Sequence, residues 1–158
     1  MGLFQSHGRG RGTGREARLS GRRIIVHSLD HARAAIAAAA ALDVPVMLAS
    51  ANGAGGYAGP LWFKALIEAA TIDHPDVAVT AVLDCGDEAG TVLGALRAGI
   101  KRVRFTGAAP ARERLAAIAA QLDATIESSE VEAALDLLDV AELEAACRAF
   151  LGGNKASG

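Results

Sequence analysis

Val44-Pro45-Val46-Met47-Leu48-Ala49-Ser50-Ala51-Asn52-Gly53-Ala54-Gly55-Gly56-Tyr57-Ala58-Gly59 decides how this chain folds, with a later echo in Val79-Thr80-Ala81-Val82-Leu83-Asp84-Cys85-Gly86. Each begins as an apolar run of strand length and then turns into small and polar residues. That change of composition marks the start of a βα loop, and in parallel α/β proteins those strand ends are where sites are built.

Working outward, the same unit recurs. Arg22-Arg23-Ile24-Ile25-Val26-His27-Ser28 reads as a first strand, apolar on both faces as a buried parallel strand is. An alanine-rich helix follows over 31–42, with Asp30 suited to its N-cap, and Pro45 ends it by excluding Val44 from the helical region. Strands are expected at 46–50, 77–83, 102–106 and 124–127. Helices are expected from Pro60, over 88–98 and over 111–122. Ser129-Glu130-Val131-Glu132 and Asp139-Val140-Ala141-Glu142 have the spacing of capping boxes and predict two terminal helices, the first running to Leu138.

Strict β-α alternation implies right-handed crossovers and a parallel sheet of about five strands. Two architectures fit it: half of a TIM-barrel-like (β/α) array, or a doubly wound, flavodoxin-like three-layer sheet. The organisation expected is an arm over 1–21, one α/β domain over 22–151 and a tail over 152–158. Within the domain, βα units span 22–127 and the terminal helices 129–151.

The chain has 158 residues, one domain by length, with 51% hydrophobic and only 4% aromatic residues. Its net charge of −2 conceals an asymmetry. The first 23 residues carry six arginines against Glu16, a charge of +5, and the remainder carries 10 basic and 17 acidic side chains, or −7. The arm over 1–21, with Gly8-Arg9-Gly10-Arg11-Gly12, reads as a disordered segment able to meet an anionic partner. No aromatic is interleaved with its arginines, which argues against nucleic acid. Two cysteines do not make a disulfide framework, and no apolar run reaches the roughly 20 residues of a membrane span. A cytoplasmic protein is the expectation.

Asp84 and Cys85 close the third strand, where an acid/base and a metal ligand or thiol would sit; an aspartate cap and a small buried cysteine are the structural alternatives. His27 ends the first strand and is the second candidate metal ligand, with His31 behind it; His74 belongs to the opposite end of the sheet. Ser50, Asn52, Gly53, Gly55 and Gly56 could present hydroxyl, amide and backbone N–H groups to a phosphate, although they match neither a Walker loop nor Gly-x-Gly-x-x-Gly. Arg102 and Arg104 alternate with Val103 and Phe105, so one face of the fourth strand is charged. Arg104 is the candidate anion binder on it, and a solvated edge is the alternative.

These segments, taken in order, resemble the first half of the class II, zinc-dependent fructose- and tagatose-bisphosphate aldolases. Pro45-Val46-Met47-Leu48-Ala49-Ser50 with Gly53-Ala54-Gly55-Gly56-Tyr57-Ala58-Gly59 is similar to that family's second-strand segment. His74-Pro75-Asp76-Val77-Ala78-Val79 with Leu83-Asp84-Cys85-Gly86 is similar to the run ending L-D-H-G, and Leu96-Arg97-Ala98-Gly99-Ile100-Lys101-Arg102-Val103-Arg104-Phe105-Thr106-Gly107 to the segment ending D-G-S. The resemblance covers roughly residues 23–127 and implies a (β/α) barrel cut after about five units. It also implies a catalytic acid/base at Asp84 and zinc as cofactor. Cys85 stands where the family has its zinc histidine, Thr106 where it has an acid, and the other zinc ligands lie in the half that does not align.

The leading functional expectation is a degenerate, non-catalytic aldolase-like domain that binds a phosphorylated metabolite or a protein partner. The alternatives are a metal-dependent lyase completed by oligomerisation and an interaction module docking through its arm. A half-barrel should also expose an apolar concave face around Val26, Leu48 and Val82. That exposure predicts a homodimer, or a C-terminal helix folded back as a plug.

Overall fold

The computed structural model describes residues 22–128 and 133–153. Among the described residues the elements run β1 (Arg22–Ile25), α1 (Leu29–Leu42), β2 (Val46–Ala49), the short α2 (Ala54–Tyr57), α3 (Pro60–Thr71), β3 (Val79–Asp84), α4 (Ala89–Arg97), β4 (Arg102–Arg104), α5 (Ala109–Gln121), β5 (Thr125–Glu127), β6 (Ala133–Asp136) and α6 (Leu143–Gly152), with strand and helix alternating as far as β5. Every pairing is parallel, and the order is β5-β4-β3-β2-β1-β6. Consecutive strands lie side by side from β1 to β5, as in a barrel, with no reversal of winding. The sheet is not closed.

Register sorts the strand residues into two faces. Ile24 pairs with Leu48 and Leu83 with Val103. These four, with Val26, Val46 and Phe105, join helix residues in two apolar cores. Alanine lets α1 lie close to the sheet: Ala32, Ala35, Ala38 and Ala39 are fully buried beside Ile36. Burying Phe63, Ile36 or Leu83 contributes roughly 1.5–3 kcal/mol each, which makes this outer layer the main source of stability. The opposite face carries Arg23, Ile25, Met47, Ala49, Val82, Asp84, Arg102, Arg104 and Glu127.

That second face curls. Arg23 on β1 and Glu127 on β5 form an ion pair, although three strands lie between them. Four strand spacings amount to roughly 19 Å along a flat sheet, beyond the joint reach of the two side chains. The pair therefore requires a concave sheet, whose interior it bridges.

Several expectations are corrected. The helix predicted to run to Leu138 gives way to β6, while its capping box at 129–132 and the arm over 1–21 lie outside the described residues. Ala133-Ala134-Leu135-Asp136 has helical propensity, but β1 has a free edge and the segment pairs with it residue for residue. Asp139 is left-handed (φ 64°) rather than an N-cap, and the last helix starts at Leu143. Ser28, not Asp30, caps α1, its Oγ accepting from the His31 N–H at 3.2 Å.

The last helix is no plug: Cys147 and Leu151 pack with α1 residues in the outer layer. Nor do the three residues expected to form a bare concave patch do so. Val26 and Leu48 face the helices, and Val82, on the concave side, is 1% exposed. The dimer expectation thus loses the exposure that motivated it.

Candidate functional site

Asp84 ends β3 on the concave face, 7% exposed. Its Oδ1 accepts two backbone N–H groups at 2.9 Å, from Gly53 and from Gly86. The carboxylate therefore ties the β2 loop to the β3 loop. Its Oδ2 lies 3.8 Å from Arg104 Nε, directly across in register. Ser50 is 3% exposed, and its hydroxyl donates to the Ala51 carbonyl while accepting the Asp84 N–H at 2.9 Å. Neither Ser50 nor Asp84 is an idle polar group; together they hold the two loops in register.

The glycine loop serves the same packing. Gly53 adopts φ 72°, which brings its N–H onto Asp84, and the Gly56 N–H donates to the Gly53 carbonyl. A Cβ at Gly55 would lie 2.9 Å from Cys85 Sγ and 3.1 Å from the Asp84 carbonyl, so close approach to β3 requires glycine there. The N–H groups of Gly53 and Gly56 already have acceptors, which leaves them unsuited to cradling a phosphate in this arrangement.

Cys85, one residue beyond Asp84, faces the other way. It is 2% exposed among Phe63, Leu83, Val92 and Phe105. Burial first, then the neighbouring Asp84 and Glu88 charges, push its thiol up to about 12, so thiolate is scarce at neutral pH.

His27 lies elsewhere. Its Nε2 is 2.6 Å from Asp136 Oδ1 on β6, and its backbone N–H donates to His31 Nδ1 at 3.0 Å. Burial and the adjacent His27 hold His31 below the usual imidazole value. Burial pushes Asp136 up, but the Leu138 N–H, the His27 hydrogen bond and the two histidine charges outweigh it and hold the carboxyl below its ordinary value.

The structure therefore does not bring Cys85 and His27 together, and no group of three His, Cys, Asp or Glu among the described residues could hold a metal ion. A catalytic zinc takes about three protein ligands. A cysteine buried in an apolar cluster on one face and a histidine bonded to an aspartate on another do not fit it.

What the strand ends do form is a cavity of about 270 Å³, lined by Arg23, Ile25, Ala49, Ser50, Asn52, Val82, Asp84, Arg104 and Ala134. It contains three of the sequence candidates in Ser50, Asn52 and Asp84, a fourth in Arg104, and Arg23, which sequence reasoning passed over. Glu127, also passed over, lies between two guanidinium groups: Arg23 on Oε2 and Arg102 Nη1 on Oε1 at 2.8 Å. A common signal could have found them. Each is a charged residue beside an apolar one inside a parallel strand, as in Arg23-Ile24, Arg102-Val103-Arg104 and Ile126-Glu127, and strand alternation puts the charged residue on the face opposite its apolar neighbour.

The comparisons agree with this architecture. Residues 15–136 match the family model described as fructose-bisphosphate aldolase class-II. Over 82 residues the chain is 30% identical to a plasmid-encoded fructose-bisphosphate aldolase of Cupriavidus necator and 32% identical to a fructose-bisphosphate aldolase of Xanthobacter flavus. Those stretches are 52% of this chain but 24% and 23% of the relatives, so the alignment spans about a quarter of their length. The crystal structure of a fructose-1,6-biphosphate aldolase candidate from Coccidioides immitis superposes with a TM-score of 0.54 at 18% identity, covering 87% of this chain and 55% of that one; the likeness is one of fold. With its consecutive parallel strands, its outer ring of helices and a family match over most of its length, the chain belongs to the class II fructose-bisphosphate aldolase family.

Proposed function

We propose that this chain is a degenerate member of its family, one that binds a small phosphorylated metabolite in the concave cavity without zinc-dependent aldol cleavage. One observation carries the reading. The cavity opens among Ser50, Asn52, Asp84 and Arg104, at the strand ends where βα folds build sites, yet the residues around it do not supply a zinc donor set. Binding capacity is retained and the Lewis acid has no seat. Asp84 keeps only one oxygen free for a ligand: its Oδ1 accepts the Gly53 and Gly86 N–H groups, while its Oδ2 lies 3.8 Å from Arg104 Nε.

The test pairs calorimetry with metal analysis. Dihydroxyacetone phosphate should bind saturably, while the purified chain should neither retain stoichiometric zinc nor cleave fructose 1,6-bisphosphate when zinc is added. Stoichiometric zinc that is lost in Cys85→Ala, together with cleavage, would overturn the reading.

A second reading, in which another copy of the chain completes the site, has one supporting observation: β5 and β6 each end the sheet with an unpaired edge among the described residues. Sedimentation at micromolar concentration decides it. A dimer supports the idea, and a monomer up to 100 µM refutes it.

A further inference from the structure

We propose that the interior of the curled sheet is an oxyanion site, in which the guanidinium groups of Arg104 and Arg23 receive one carboxylate or phosphate group of a ligand that enters acid end first. The inference rests on the ligand-binding reading above and adds the position and charge of the group recognised.

Three guanidinium Nε atoms among the described residues are buried without a hydrogen-bond acceptor. Arg112 is one, and it lies on α5 away from the cavity. The other two, Arg23 and Arg104, line the same cavity. Arg23 as a residue is only 7% exposed, so solvent does not freely satisfy it. Buried donors are nearly always paired, and two unpaired donors on residues that line one cavity ask for a shared acceptor. The Nε–Nη edge of arginine presents two parallel N–H groups, which match the two oxygens of a carboxylate or phosphate.

The local carboxylates do not fill that role. Glu127 is shared between Arg23 and Arg102, one negative charge against two positive ones. Asp84 approaches Arg104 no closer than 3.8 Å and gives its other oxygen to Gly53 and Gly86. The cavity lining itself carries Arg23 and Arg104 against Asp84, a net charge of +1. Ile25, Ala49, Val82 and Ala134 make an apolar part of the wall beside Ser50 and Asn52, which lowers the local dielectric and strengthens attraction for an anion. At about 270 Å³ the cavity is near the lower end for small-molecule sites, so it suits a metabolite of a few carbons. Glu127 is a positioning residue here: it holds Arg23 and Arg102 in place and does not itself meet the ligand.

The experiment follows arginine Nε–Hε resonances by heteronuclear NMR. Inorganic phosphate and acetate are added separately at constant ionic strength, with chloride as the control. The expected result is a saturable shift of the Arg104 and Arg23 signals with at least one oxyanion and none with chloride. Phosphate alone acting identifies a phosphate-bearing ligand, and acetate identifies a carboxylate. Arg104→Met should weaken the response tenfold or more, Arg104→Lys less, and Arg97→Gln on α4 not at all. If neither oxyanion shifts these signals, the proposal is overturned. It is also overturned if Arg104→Met, shown folded by its amide spectrum, responds like the parent. Dihydroxyacetone phosphate that still binds Arg104→Met at parental affinity would remove this site while leaving the proposed function standing; loss of all binding in the parent chain removes both.

Discussion

The two faces of the sheet are made from alternate residues of the same strands, yet they follow opposite rules. Toward the helices stand Ile24, Leu48, Leu83 and Val103, each 0% exposed, interleaved with alanine and leucine from the helices. Toward the concavity stand Arg23, Asp84, Arg102, Arg104 and Glu127, around a small apolar patch of Ile25, Met47, Ala49 and Val82. One face is held by close packing. The other is held by ion pairs and loop ties that leave donors unmatched. The difference teaches where tolerance lies: the outer face can lose little volume, whereas the inner face leaves Arg23 and Arg104 donors without acceptors.

Four measurements would break or sharpen that contrast. The largest effect belongs to the outer face, where Phe63→Ala should remove about 3–5 kcal/mol by leaving a cavity in a buried cluster, read from urea denaturation. A value near 1 kcal/mol would mean that this core is loosely packed. On the inner face, Glu127→Met alone should cost about 3 kcal/mol, because it strands Arg23 in a buried setting. Adding Arg23→Met should recover part of the loss. If the double variant is as unstable as the two single losses added together, the bridge across the concavity is not a unit.

Next comes the loop tie. Asp84→Ala removes the acceptor for the Gly53 and Gly86 N–H groups and should cost about 1–3 kcal/mol. Asp84→Asn keeps an oxygen there and should cost much less. Equal losses in the two variants would shift the weight to the Arg104 contact.

The smallest effect is in pH. His31 titrates below 6.5 in the folded chain, so the unfolded chain binds more protons just below that value and stability falls as pH drops through it. Asp136, held below its ordinary 3.8, adds stability that is present above that value and lost as pH falls further through the folded value. His31→Asn should flatten the first part of the curve and also shrink the second, because the His31 charge helps hold Asp136 down. A parent curve flat from pH 7 to 5 would contradict the His31 assignment.

Much of this was legible before any coordinates. The loop after Ala49, the exit at Asp84 and the arginines of β4 all lie at the strand ends the alternation implied, and the family follows from their order. The facing of Asp84 and Cys85 was also legible in principle, because consecutive strand residues point to opposite sides. Arg23 escaped notice because an arginine early in a strand looks like a solvated end; only its partner on β5 gives it an interior role. The helix-like segment at β6 was misread for a similar reason. Local propensity favours a helix for Ala133-Ala134-Leu135, and a free edge four residues wide outweighs it.

By itself, then, the sequence determined the β-α alternation and the parallel sheet, since these depend on local periodicity, whereas the side of the sheet that Val26 and Leu48 occupy came from the tertiary structure. The tertiary structure decided the closing β6–β1 pairing, the curl that brings Arg23 to Glu127, and the separation of Cys85 from His27. Those outcomes depend on contacts between residues roughly a hundred positions apart, whose geometry no local pattern encodes. The loop at Ser50–Gly59 keeps its place beside the cavity, but Gly53 and Gly55 serve its docking onto β3, and Arg23 and Arg104 line the wall.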